Sequence, residues 1–276
     1  PGSAERAPRG AVAPAWAWRR RGGPAAVGAG TEAEGPGSAR ELPPPPPSPP
    51  PPATPEALEL PQPEPSEASA RQLLLDEWGP LGESLLLPAT VTWKLLLLRR
   101  PLYRNLLRSP NPEGINIYQP APARGPTRQP LEALGNFQGW RIGMEQLQQN
   151  LSWTVKQQCV NLLAEGLWEE LLDDEQPDIT VMDWYEDSRL DQCVYELHVW
   201  LLASDCRTVI AQHHVAPRSS GRGSPGHWIQ VSHVFRQYGP GVRFVHFLHK
   251  TKNRTEPGGI RRTRVTDSSV SVQLRE

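Results

Sequence analysis

Hydrophobic and polar residues are patterned most clearly between positions 156 and 202, and this stretch predicts the core of the fold. A short apolar run at 158–163 is followed by apolar residues at helical spacing and then by Pro177, which cannot continue a helix. Strand-forming residues return at 179–184, and at 194–202 alternate residues belong to opposite faces. The pattern therefore predicts a strand, a short helix and two further strands.

Strand-like segments separated by Gly- and Pro-rich turns continue to the carboxyl end. The predicted strands are 140–146, 152–155, 158–163, 179–185, 194–203, 208–215, 227–237, 242–249, 261–266 and 269–274. Many short strands with one short helix predict an all-β fold, an antiparallel β-sandwich or jelly roll over 134–276. We expect its core to bury Trp168, Trp184, Leu197, Val199 and Phe244.

The first 70 residues differ from the rest, because they hold 18 of the 32 prolines and few large apolar residues. Such a composition predicts a disordered arm. Its proline run at 43–52 is typical of a polyproline II helix, and Arg40 with the prolines up to Pro46 fits a Src-homology-3 ligand. A stiff, solvated spacer is the commoner origin of such a match. Residues 71–108 predict short helices broken at 81–84, and 109–133 an irregular linker.

Charge is balanced over the whole chain but not along it. The net charge of −1 favours neither nucleic acid nor membranes as partners. Segment 165–191 holds eleven carboxylates against one Arg, whereas 243–264 holds seven Lys or Arg against one Glu. The two segments make the domain strongly dipolar, or else they are ordinary solvated faces. We expect the basic residues at 99–104 to contact the carboxylate-rich segment.

The sequence offers no arrangement for catalysis, a cofactor or a metal. Three cysteines at 159, 193 and 206 have no metal-ligand spacing, and they favour a reducing, cytoplasmic location. His213 and His214 would point to opposite faces of a strand, as would His246 and His249. A glycine fingerprint at 221–226 does not open a helix and is discarded. No run approaches the length of a membrane span.

Several motifs agree in order and spacing with one known family. They are Asn105 to Pro110, Glu165 to Asp173, Asp183-Trp184-Tyr185, Tyr238 to Val245, and Arg264-Val265-Thr266 with Ser268-Ser269-Val270. Over about 105–276 the chain resembles the F-box-associated domain of the sugar-recognising F-box proteins. The resemblance implies a galactose-binding-like β-sandwich that selects substrates for a Skp–cullin–F-box ubiquitin ligase. It further implies binding to the chitobiose core of glycans on misfolded glycoproteins, in an ERAD-type pathway of glycoprotein catabolism.

Two departures from the family change this expectation. Residues 71–104 lack the opening and closing motifs of an F-box, so we expect weak or no binding of a Skp-type adaptor, with the leucines at 73–75, 85–87 and 95–98 packing on the sandwich instead. The resemblance implies a glycan pocket made by a Phe and a Tyr-Trp-Lys run; the Phe position corresponds here to Leu151 and the run to Glu256, Pro257 and Gly258, which offer no ring to a sugar. Nearby cations predict a basic, partner-binding hairpin: Lys250, Lys252, Arg254, Arg261 and Arg262.

The sequence therefore predicts a non-enzymatic recognition protein that binds protein clients and binds glycoproteins weakly. The alternative is a cytoplasmic scaffold or signalling protein that acts on cell growth through its proline-rich arm, without ligase activity. A cell-surface receptor is disfavoured by the lack of a signal or membrane segment.

Overall fold

The structure is a computed structural model that describes residues 64–122 and 125–275. Three short helices come first: α1 (Glu67–Trp78), α2 (Pro80–Glu83) and α3 (Trp93–Arg99). Nine strands follow: β1 (Arg141–Gln148), β2 (Leu151–Asn161), β3 (Asp178–Glu186), β4 (Tyr195–Leu202), β5 (Val209–Val215), β6 (Trp228–Phe235), β7 (Phe244–Glu256), β8 (Gly259–Arg262) and β9 (Val265–Gln273).

The strands form two antiparallel sheets, which confirms the predicted fold class. The large sheet has the order β1-β2-β7-β4-β5, with β8 paired to the end of β7, and the small sheet has the order β6-β3-β9. Apolar residues of both sheets share one buried cluster, including Ile179, Val181, Val199, Val245, Phe247, Val270 and Val272. Burial of alternate residues along β3 and β4 leaves one face of each strand in this core.

The helices join the same core through their leucines. Leu74 and Leu96 are fully buried in the shared cluster, and Leu85, Leu87 and Leu97 pack against it. The prediction that these leucines pack on the sandwich is correct for this set. It is wrong for Leu73, Leu86 and Leu98, which are 53%, 81% and 82% exposed. Ser66 and Thr92 cap α1 and α3 by accepting hydrogen bonds from backbone N–H groups.

The segment after α3 closes the free edge of the small sheet. The backbone N–H groups of Tyr103 and Leu106 donate to the carbonyls of Val272 and Val270 on β9. Between them, Asn105 donates to the carbonyl of Ser268 and accepts from the N–H of Val270. An edge covered in this way cannot pair with another strand, which explains the Asn-Leu-Leu motif.

Several element boundaries differ from the predicted ones. The predicted strands 152–155 and 158–163 are one strand, because Lys156 and Gln157 pair with β7 without a break. β7 runs to Glu256, beyond the predicted end at 249, and the predicted break at 81–84 is largely α2. α1 begins at Glu67, inside the predicted arm, so the arm boundary moves to before this helix.

The short helix predicted between the run at 158–163 and Pro177 is a single π-helical turn, Leu171–Glu175. Trp168, Leu197 and Val199 are buried as predicted. Trp184 and Phe244 are only half-buried: Trp184 packs against a small cluster separate from the shared core, and Phe244 is the first residue of β7. The Src-homology-3 motif at 40–46 lies outside the described residues.

The acidic and basic segments are joined by ion pairs. Arg243 binds Asp173 at 2.8 Å and Glu169 at 3.2 Å. The basic connector likewise reaches the acidic segment, where Arg104 binds Glu165 at 2.7 Å. Within the described residues, no helix has the length and apolar character needed to cross a membrane.

Candidate functional site

The four positions of the expected glycan pocket meet at one end of the large sheet. Leu151 begins β2 directly opposite Arg254 of β7, and the N–H of Thr255 donates to the carbonyl of Asn150. Glu256 ends β7, and Pro257 with Gly258 forms the turn into β8. We call this group, Asn150–Leu151 with the hairpin at 254–262, the hairpin end.

The turn geometry depends on two glycines. Gly258 and Gly259 have φ angles of +100° and +140°, which side chains with a Cβ rarely adopt. A Cβ on Gly259 would lie 2.4 Å from the backbone of Thr127, which bridges to Ile260 on β8. The linker is therefore packed against the hairpin and sets its position.

The pocket positions offer no aromatic face. The carboxylate of Glu256 accepts hydrogen bonds from Arg261 Nε at 3.0 and 3.1 Å, and Arg261 Nη2 lies 2.9 Å from it. The neighbouring ring of Trp153 is only 6% exposed, and Lys252 Nζ lies 3.9 Å from its centroid. A sugar approaching these residues would find an ion pair instead of a ring on which to stack.

The predicted cations are present, but they are not a free basic patch. Lys250 binds Glu145 at 2.8 Å, Lys252 binds Asp191 at 3.2 Å, and Arg261 binds Glu256. Arg254 donates to the carbonyl of Leu190, and Arg262 to that of Gln129. Lys250 and Lys252 also lie along β7 between β2 and β4, before the hairpin itself.

Behind the hairpin is a small cavity of about 230 Å³ with a mixed apolar and charged lining. Its lining includes Glu113, Glu186, Arg262 and Arg264. Arg264 is 7% exposed and binds Glu186 through Nη2 at 2.6 Å and Nε at 3.0 Å. Burial raises the pKa of Glu186 against the opposing effect of Arg264, and burial lowers the pKa of Arg262. The cavity wall therefore includes a charge pair whose two members compensate each other.

The inner faces of the sheets meet at a polar group that we call the buried network. Asp183 Oδ2 accepts hydrogen bonds from Tyr195 Oη and His249 Nδ1, both at 2.6 Å, and Asp183 Oδ1 accepts from Ser268 Oγ at 2.8 Å. Asp183, Tyr195 and His249 are fully buried. Burial lowers the pKa of His249 and raises that of Tyr195 well above its usual value. The carboxylate–imidazole pair resembles part of a catalytic triad, but no substrate can reach it.

Lys156 lies beside this network and is also buried. Its Nζ lies 5.6 and 5.9 Å from the ring centroids of Phe137 and Trp140, and Trp140 stacks on His249 at 5.0 Å. Burial lowers the pKa of Lys156 to about 8, with Glu113 and Asp183 opposing the shift. Nothing along the chain marks these residues as a group, because they belong to different strands.

Two segments match the glycosylation acceptor pattern, Asn150-Leu151-Ser152 and Asn253-Arg254-Thr255, and they pair across β2 and β7 beside the hairpin end. Asn253 is fully buried and its amide donates to Ser152 Oγ at 3.2 Å and Thr154 Oγ1 at 2.9 Å. Its side chain therefore links β7 to β2 and is not accessible to a glycosyl transferase.

The outer face of the large sheet carries three possible metal ligands that the sequence reasoning missed. Glu196 and His198 lie on β4, and the strand register places His214 of β5 directly opposite His198. As predicted, His246 and His249 point to opposite faces, since His246 stacks near Trp200 while His249 binds Asp183. The missed ligands are neighbours across strands, so no spacing along the chain reveals them.

Comparisons with known proteins agree with the motifs. Residues 97–272 match the family described as the F-box associated region. The chain is 83% identical to F-box only protein 50 of Homo sapiens over 211 residues, which are 76% of this chain and 77% of that protein. It is 41% identical to F-box only protein 50 of Danio rerio over 220 residues, covering 71% and 92%.

More distant matches follow. The chain is 43% identical to F-box only protein 2 of Bos taurus over 128 residues, covering 45% of this chain and 42% of that protein. TmCBM61 in complex with β-1,4-galactotriose is similar with a TM-score of 0.32 and 9% identity, covering 62% of this chain and all but 1% of that one. That likeness is too small to support any conclusion. The family match and the relatives agree, and the chain belongs to the F-box-associated family of F-box-only proteins.

Proposed function

We propose that this protein is a non-enzymatic recognition subunit of the ubiquitin pathway that binds protein clients at its hairpin end. Membership of the F-box-only proteins is consistent with substrate recognition for a ubiquitin ligase. The observation that carries the finer proposal is the ion pair between Glu256 and Arg261, because the family resemblance implies an aromatic residue at the position of Glu256. Exchangeable ion pairs at a surface suit recognition of charged protein segments rather than sugars.

Sugar binding is expected to be too weak to serve as the main function. Each lost aromatic contact costs about 1–3 kcal/mol, by analogy with truncations in protein interfaces, and two losses take a micromolar affinity into the millimolar range. Titration calorimetry of the full chain with chitobiose tests this. Saturable binding tighter than about 100 μM would contradict the proposal. The triple variant Leu151→Phe/Glu256→Tyr/Pro257→Trp should bind more tightly than the wild type, because it returns rings to the same positions.

Client binding is tested by a quantitative pull-down from cytosol. We expect Arg261→Glu to lose most of the clients, since it places two carboxylates at the hairpin end. The charge-swapped variant Glu256→Arg/Arg261→Glu keeps an ion pair and should fold as the wild type does. Leu73→Ala, at an exposed site on α1, is the matched surface control. An identical set of clients for Arg261→Glu and wild type would exclude the hairpin end.

Adaptor binding through the helices is proposed to be weak or absent. Leu74 and Leu96 are committed to the core, and the exposed leucines are single residues on separate elements. Gel filtration with a Skp-type adaptor should give separate peaks, whereas a stoichiometric complex would overturn this part.

The three cysteines have no disulfide partner, in keeping with the proposal that the protein works in the cytoplasm.

Deleting residues 1–63 separates this function from the scaffold alternative. The deletion leaves Ser66 and α1 intact, so the helices keep their packing on the sandwich. Clients retained after the deletion support recognition by the sandwich. Clients lost with the arm, with the fold preserved, would favour the proline-rich arm as the working part.

A further inference from the structure

We propose that Glu196, His198 and His214 bind one divalent transition-metal ion, Zn²⁺, on the outer face of the large sheet. The site is independent of the client-binding function proposed above. Its ligand atoms all lie within 4.8 Å of one another, while two of the side chains are half-buried and the third is exposed. Two imidazoles and one carboxylate form a ligand set that Zn²⁺ uses when a fourth position is left open.

The β-sheet register makes this arrangement. Glu196 and His198 are two residues apart on β4, so their side chains share a face. His214 is the direct cross-strand partner of His198, and such pairs have Cβ atoms about 5 Å apart. The His198 and His214 rings stack with their centroids at 4.2 Å. A small turn of the exposed His214 ring would therefore bring its nitrogen to the same ion.

The distances between ligand atoms suit a small ion. His198 Nε2 lies 3.1 Å from Glu196 Oε2, close to the roughly 3.3 Å that separates two ligands on a tetrahedral Zn²⁺. In the protein alone, His198 Nε2–H donates to the carboxylate. When the metal binds, the imidazole proton moves to Nδ1, and both atoms present lone pairs to the ion. No proton is released by His198 in this exchange.

The surroundings position the ligands and leave one side open. Trp200 packs beside His198 with their ring centroids 5.7 Å apart, which restricts the imidazole. Lys250 is the cross-strand neighbour of Glu196, and its Nζ is held by Glu145 at 2.8 Å. The exposed side next to His214 leaves a coordination position for water. The nitrogen ligands disfavour Mg²⁺ and Ca²⁺, which prefer oxygen.

The test is titration of the full-length chain with ZnCl₂ by calorimetry, and with Co²⁺ followed by visible absorption. We expect one saturable site in the wild type and no saturable binding of Mg²⁺. His214→Ala and Glu196→Gln should each weaken Zn²⁺ binding by more than about tenfold, which is the lower end of what even an outer-shell partner contributes. His227→Ala, at an exposed histidine away from the cluster, is the matched control and should bind as the wild type does.

Three results would overturn the proposal. One is a wild-type chain that takes up no Zn²⁺ saturably. Another is binding that survives unchanged in both His214→Ala and Glu196→Gln. The third is binding abolished by alkylation of the thiols, since Cys159 is exposed and Cys206 is half-buried. Urea unfolding of His214→Ala checks that loss of binding is not loss of fold, because this side chain is exposed.

Discussion

The charged residues of the hairpin end and those of the buried network differ in how far water can reach them. At the hairpin end, Glu256 and Arg261 pair where Arg261 is 42% exposed. In the buried network, Asp183 accepts four hydrogen bonds without any exposure. Water can solvate Glu256 and Arg261 if their ion pair breaks, so breaking it costs little. Water cannot reach Asp183, so its lost hydrogen bonds would not be replaced. The buried charge is therefore bound up with the packing of the core, whereas the charges at the hairpin end are partly solvated.

The largest loss of stability should come from replacing Asp183, the acceptor at the centre of the buried network. Asp183→Ala leaves Tyr195, His249 and Ser268 without their acceptor, and we expect the free energy of unfolding to fall by about 3–5 kcal/mol. Urea unfolding measures the change, with Glu256→Gln as the control that removes a half-buried carboxylate near the surface. A loss below about 1 kcal/mol would mean that the network contributes little and that the comparison fails.

Replacing a large side chain of the apolar core should reduce the free energy of unfolding by nearly as much. Trp168 is 5% exposed, and replacing it with Ala should cost about 3–5 kcal/mol, the usual range for deleting a buried aromatic side chain. Trp184→Ala should cost less, because Trp184 is only half-buried. Thermal and urea unfolding compare the two variants. Equal costs would contradict the difference in burial between them.

Acid should weaken the folded state through its buried imidazoles. Burial, with a smaller effect from Arg141, lowers the pKa of His246 to about 4. The folded state therefore binds fewer protons than the unfolded chain between pH 6.5 and 4, so stability falls as pH falls through this range. The shifted pKa of His246 alone should account for a loss of up to about 3 kcal/mol in the free energy of unfolding over this pH range. His246→Gln should flatten this dependence relative to His227→Gln, and an unchanged pH profile would refute the assignment.

The smallest change in the free energy of unfolding should come from substitutions at the hairpin end. Glu256→Gln breaks a partly exposed ion pair, and ion pairs at the surface contribute about 0–1 kcal/mol to stability. Urea unfolding should place this variant within that range of the wild type, while client binding changes. A destabilisation above about 2 kcal/mol would show the hairpin to be part of the structural core rather than a recognition surface.

Much of the fold could be predicted because strand alternation is a local property. The alternation in β4 identifies Leu197 and Val199 as core residues, and the structure buries both. Boundaries were harder, as β2 shows. Lys156 and Gln158 interrupt its apolar pattern, yet both are buried, because Lys156 contacts aromatic rings and Gln158 bonds with the backbone of Arg108. Such polar burial depends on partners distant in sequence.

The hairpin end was predictable only in part. Motif positions indicated that Leu151 and residues 256–258 belong together, and the pairing of β2 with β7 brings them to one end of the sheet. Glu145, Asp191 and Glu256, which belong to three different elements, neutralise Lys250, Lys252 and Arg261, whereas Arg254 and Arg262 bind neutral carbonyls. A count of charges along the chain cannot include partners that only folding brings near.

The sequence by itself determined the class of fold, the family and the lack of aromatic residues at the hairpin end. Those properties follow from local alternation, from motifs and from residue identity. Tertiary structure decided which charges are neutralised, that Asp183 and His249 meet in the core, and that His198 faces His214 across two strands. The physical reason is register: pairing between strands brings together residues whose separation along the chain carries no signal.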